Sequence, residues 1–93
     1  MGILLPHLFL LQQNYPNPFN PNTKISYQLP VAGIVTLKIF DILGKEVATL
    51  VDEYKPAGIY DVQFTMNNLS SGVYFYQLKA GTFTQTKKMI LLK

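Results

Sequence analysis

The chain has no cysteine, no tryptophan and no arginine. Without cysteine there is no disulfide framework, no thiol nucleophile and no thiolate zinc site. A domain of this size then has to rely on its apolar core. Without arginine there is no bidentate reader of base edges, and the eight lysines are spread out, Lys87 and Lys88 being the one adjacent pair. A net charge of +3 distributed in this way argues against nucleic acid as a partner and fits solubility and sheet-edge protection. Charged residues make up only 14% of the chain against 48% hydrophobic, which is too apolar for a disordered tail.

Catalytic groups are equally scarce. The single histidine, His7, sits beside Pro6 in an apolar stretch, with no second histidine or cysteine to share a metal. The carboxylates are Asp41, Glu46, Asp52, Glu53 and Asp61, and none falls in the close alternating run of a calcium loop. Asp41 opens a turn, adjacent Asp52 and Glu53 point to opposite faces of a strand, and Asp61 faces outward. Ser70-Ser71-Gly72 has turn composition, and the six glycines are isolated, so neither a nucleophile elbow nor a phosphate loop is present. No catalytic, cofactor or metal residues are expected, and the chain reads as a non-enzyme.

The opening Met1–Leu11 is apolar, but it lacks a Lys or Arg before the run and a small-x-small cleavage site after it. Pro6 and His7 interrupt it well short of the roughly 20 apolar residues of a membrane span. Residues 1–8 are expected to be an ordered apolar arm, and residues 9–93 one domain.

Three prolines and four asparagines are packed into Asn14–Asn22. Proline fixes φ and drives its predecessor out of the helical region, so this is an extended, rigid, multi-turn strap. Beyond it the hydrophobic period is two. Ile25, Tyr27 and Leu29 alternate with polar neighbours up to Pro30, and Val35, Leu37 and Ile39 do the same before the turn Asp41–Lys45. Val47–Val51 continues as a strand, and Glu53–Gly58 reads as a turn. Tyr60, Val62, Phe64 and Met66 share a face, and Asn67–Gly72 turns again. Tyr74, Tyr76, Leu78 and Ala80 share the next face, with Phe75 opposite, and Phe83–Lys93 is the last strand. Six Tyr and six Phe suit such half-buried pleated surfaces. The expected architecture is all-β: a small antiparallel immunoglobulin-like β-sandwich of about seven strands.

The stretch Phe9–Pro21, with its core Asn14-Tyr15-Pro16-Asn17-Pro18-Phe19-Asn20-Pro21, resembles the opening of type A C-terminal sorting domains of the type IX secretion system (the Por secretion system tail). The resemblance continues in Thr23–Pro30, in Val35–Asp41 with Gly44, in Ala57-Gly58-Ile59-Tyr60 and in Leu69–Tyr76 with Gly72 and Tyr74. It ends in Lys87-Lys88-Met89-Ile90-Leu91-Leu92-Lys93. Where family members often carry Trp-Asp-Gly, this chain has Phe64-Thr65-Met66-Asn67, a packing variant that keeps an aromatic core residue.

The resemblance implies a C-terminal secretion and sorting signal. The folded domain would pass through the periplasm, be recognised by the outer-membrane translocon and reach the cell surface with its cargo. A sortase-like peptidase would then remove it. Recognition would involve Lys87–Lys93. The cargo domain is missing from this chain, which is expected to be an excised domain, a truncated reading frame or a stand-alone subunit. The alternative, from a different class, is an extracellular structural immunoglobulin-like module. It would self-assemble into an oligomer or filament by adding residues 1–11 to a neighbour's sheet edge.

Overall fold

In the computed structural model, which describes residues 6–93, alternation of side chains decides which face of each strand goes inside. Ile25, Tyr27 and Leu29 are buried while Lys24 is exposed and Ser26 and Gln28 are only half-buried. Val35, Leu37 and Ile39 repeat the pattern, as do Tyr74, Tyr76 and Leu78. Each buried Leu or Ile contributes about 1.5–3 kcal/mol relative to exposure.

The strands are β1 (Leu10–Leu11), β2 (Asn22–Leu29), β3 (Gly33–Phe40), β4 (Glu46–Lys55), β5 (Gly58–Thr65), β6 (Gly72–Ala80) and β7 (Phe83–Leu91). They form two antiparallel sheets with the order β1-β2-β5 in one and β4-β3-β6-β7 in the other. No helix occurs among the described residues. The chain is an all-β two-sheet sandwich, as its period-two pattern predicts.

Turn chemistry also follows the sequence. Asp41 Oδ1 accepts from the backbone N–H groups of Leu43 and Lys45, both at 2.9 Å, and Gly44 takes φ +84°. A left-handed residue at that point is where glycine is least costly. Phe64 is half-buried against the core.

Three boundaries differ from the sequence reading. Glu53, Tyr54 and Lys55 belong to β4, opposite Val35, Ile34 and Gly33, and the turn shrinks to Pro56-Ala57. β4 is an edge strand with two register shifts against β3, so its apolar alternation is broken and its exposed residues imitate a loop. The last strand stops at Leu91 rather than Lys93. The seventh strand is β1, inside the apolar opening: Leu10 faces Gln28 and Leu11 faces Tyr27. Phe9 stacks on Phe83 with ring centroids 4.9 Å apart, and Leu11 lies in the core. Residues 9–11 therefore pack on their own sandwich. Of the expected arm, Met1–Leu5 lie outside the described residues, His7 and Leu8 are exposed, and Leu8 O accepts from Gln28 Nε2 at 3.3 Å.

Candidate functional site

The Pro/Asn strap holds both sheets at once. Gln12 N donates to Ser26 O, and Tyr15 and Lys24 exchange backbone hydrogen bonds, all at 2.9 Å, which extends β1 along β2. The strap then crosses to the other sheet. Phe19 N donates to Ile90 O and Leu92 N donates to Phe19 O, each at 2.9 Å, so Phe19 forms a parallel bridge with Leu91 on the outer edge of β7. Strap side chains occupy further edge groups of β7. Gln13 Nε2 donates to Lys88 O at 2.7 Å, and Ile90 N donates to Asn17 Oδ1 at 3.0 Å.

Asn14 organises the crossing. It is buried, and its Nδ2 donates to Thr23 Oγ1 at 3.0 Å and to Pro16 O at 3.2 Å, while its Oδ1 accepts from Gln13 Nε2 at 2.7 Å. Thr23 Oγ1 in turn donates to Pro16 O at 2.9 Å. The Tyr76 hydroxyl, fully buried on β6, accepts from Asn14 N at 2.8 Å and donates to Gln12 O at 2.6 Å. Burial pushes the Tyr76 hydroxyl pKa up to about 12, partly opposed by the hydrogen bond from the Asn14 backbone. A network whose buried members are all satisfied rigidifies the segment, and removal of one member exposes the others to a desolvation penalty.

The C-terminal end of β7 is anchored a second time. Lys93 N donates to Ser71 Oγ at 2.9 Å, and Lys93 Nζ donates to Asn67 O. The loop that receives them is braced by Tyr74, whose hydroxyl donates to Ser70 O at 2.7 Å. Gly72 leaves that loop at φ +151°, a conformation that side-chain-bearing residues rarely adopt.

Within the expected recognition segment, Met89 and Leu91 are fully buried, Lys87 and Ile90 are half-buried, and Lys88, Leu92 and Lys93 are exposed. Of the expected motif, Asn14 and Phe19 are buried, whereas Tyr15, Pro16, Asn17, Pro18 and Asn20 form the exposed surface of the strap. Pro21 O accepts from Met66 N at 3.0 Å. Gly44 lies apart from the clamp, lining with Phe40, Phe75 and Thr86 a shallow cavity of about 340 Å³ on the outer face of the four-stranded sheet. Gly58 is at the far end of the β2–β5 ladder, opposite Leu29. The sequence reading named none of Gln13, Thr23 and Tyr76 as site residues, and it took Tyr76 as a core residue only. Inward alternation placed Tyr76 in the core, and a buried tyrosine hydroxyl needs a partner, but nothing local indicated that the partner lay 62 residues earlier.

A family model described as a secretion system C-terminal sorting domain matches residues 13–92. Its limits coincide with the clamp: Gln13 is the first strap residue to reach β7, and Leu92 the last to bond Phe19. The chain belongs to this family, the type IX C-terminal sorting domains. As a sorting domain it acts as a signal for export by the type IX machinery to the cell surface or the extracellular space. A search among curated proteins finds no match.

The sorting domain also separates its charges. All five carboxylates lie on β4, on β5 or in the turn before β4. Three are in ion pairs: Lys24–Asp61 at 3.8 Å, Lys38–Glu46 at 3.2 Å and Lys55–Glu53 at 2.9 Å. Among the described residues Lys45, Lys79, Lys87 and Lys88 pair with no side-chain carboxylate, and the last three put unpaired positive charge on the β6–β7 side.

Proposed function

We propose that residues 9–93 form the complete sorting unit, and that the outer-membrane translocon reads it folded, at β7 and the strap. The clamp carries this reading. Met89 and Leu91 are locked in the core, so a receptor meets Lys88, Leu92, Lys93 and the exposed strap residues as one rigid surface. A preformed surface avoids the entropy cost of ordering a flexible peptide on binding. On this reading the domain crosses the periplasm folded, engages the translocon through β7 and its lysines, and is released from its cargo by a sortase-like peptidase. The domain is a substrate of that machinery and contributes no catalytic group.

The test is surface display of a reporter carrying residues 9–93 at its C-terminus, in a host with this secretion system. Deleting Lys88–Lys93 removes both the recognition surface and the clamp, so that variant abolishes display on either account. Lys88→Glu with Leu92→Asp separates them, because both side chains are exposed. Loss of display with an unchanged melting temperature supports recognition at β7. Display equal to the parent sinks it.

A further inference from the structure

A two-sheet sandwich has four edge strands, and unpaired edges invite further pairing unless they are blocked. Three are blocked here by different devices. β1 is only two residues long and continues into the strap. β7 has its last part covered by the strap. β4 carries Glu46, Asp52, Glu53 and Lys55 and two register shifts. β5 has none of these: it pairs with β2 over eight consecutive residues without a shift, contains no proline or lysine, and bears one charge, Asp61. Asp61 is already held by Ser26 Oγ at 2.6 Å and by Lys24.

Backbone directions identify which β5 groups are open. Lys24 and Ser26 direct their backbone groups to the strap, so the intervening Thr23, Ile25 and Tyr27 face β5. Their partners are Phe64, Val62 and Tyr60. Hence Ile59, Asp61, Gln63 and Thr65 present N–H and C=O groups at the free edge. The inward residues Tyr60, Val62 and Phe64 are only half-buried, and Phe64 and Thr65 border a cavity of about 280 Å³ shared with Val47 and Ala48 of β4. The sheet that ends in β5 is one strand narrower than its partner sheet.

We propose that a second copy of this chain fills that edge, β5 pairing antiparallel with β5 across a two-fold axis at Val62. The argument for a second copy is self-complementarity. This register sets Tyr60 opposite the partner's Phe64 and Val62 opposite the partner's Val62, apolar against apolar on the inner face. On the outer face Asp61 meets the partner's Gln63, and Ile59 meets the partner's Thr65. It forms roughly eight backbone hydrogen bonds, two for each facing odd-numbered pair. A two-fold axis at Asp61 would oppose two like charges, and an axis at Gln63 would run the pairing beyond Thr65, where β5 ends. The resulting sheet is continuous through both copies, and the strap and β7 of each remain free.

Sedimentation equilibrium of the 93-residue chain from about 10 µM to 1 mM tests this, with dissociation constants read directly. Gln63→Pro removes an N–H that points to the free edge and leaves the β2 ladder whole, so it is expected to abolish the dimer. Gln63→Glu places like charge opposite the partner's Asp61 and should weaken association about fivefold, whereas Gln63→Lys should strengthen it by a similar factor. Within one copy position 63 faces Lys24, so the same pair should shift melting of the monomer in the opposite sense. A chain that stays monomeric at 1 mM overturns the proposal. So does a dimer in which Gln63→Glu and Gln63→Lys have equal or reversed effects, whether or not Gln63→Pro folds.

Discussion

The two lateral sides of this sandwich solve the same problem in opposite ways. On one side the strap crosses between the sheets, bonds to β2 and β7, and buries Phe19 and Asn14 between them. On the other, β4 and β5 end their sheets without a covering segment, and apart from buried Val51 their side chains shade from half-buried to exposed. The closed side depends on contacts between the two ends of the chain. The open side depends on neighbouring strands and surface charge. Stability should therefore be concentrated on the closed side, and substitutions there should cost more than matched substitutions on the open side.

The largest expected effect is at Phe19. Phe19→Ala empties a fully enclosed site and should lower unfolding free energy by about 3–5 kcal/mol in urea titrations. Phe64→Ala on the half-buried open side should cost clearly less, and equal losses would erase the contrast. Next, Tyr76→Phe removes one hydroxyl that serves Asn14 N and Gln12 O, and should cost about 1–3 kcal/mol by the same measurement. Gly72→Val, at φ +151°, should cost about 1–3 kcal/mol, and an unmoved melting curve would show that the backbone relaxes there. At the small end, Asp61→Asn loosens an exposed ion pair and should change stability by less than about 1 kcal/mol, an effect that salt diminishes further.

Alkaline pH sharpens the comparison further. Burial pushes the hydroxyls of both Tyr76 and Tyr27 up to about 12 from an unfolded value of 10.0, so the fold favours their neutral forms. A raised folded-state pKa means this stabilisation is intact below pH 10 and is lost as pH climbs from 10 towards 12. Unfolding followed across that window should show stability falling, with a shallower fall in Tyr76→Phe.

Local physics made the strands and turns legible. Alternation at Ile25–Leu29, Val35–Ile39 and Tyr74–Leu78 follows from the pleat, and Asp41 and Gly44 supply the chemistry of their own turn. β4 was harder because an edge strand with bulges has no uniform inner face to impose a pattern. The clamp was the least legible part. The composition of Asn14–Asn22 implied rigidity, and family resemblance marked the segment as important. That Asn17 and Gln13 reach Ile90 and Lys88 is a tertiary fact, carried by hydrogen bonds between residues more than seventy positions apart.

That separation bears on the order of events during synthesis. Gln13 leaves the ribosome 75 residues before its partner Lys88, and Phe19 waits equally for Ile90 and Leu92. The hairpins between can form as they emerge, but the strap has nothing to close upon until the final strand arrives. Such non-local closure comes late and slowly in folding. A chain cut short before Lys88 lacks the backbone partners of Gln13, Asn17 and Phe19 and so cannot form the finished strap surface. The strap surface thus exists only where the last strand, β7, is in place to receive it.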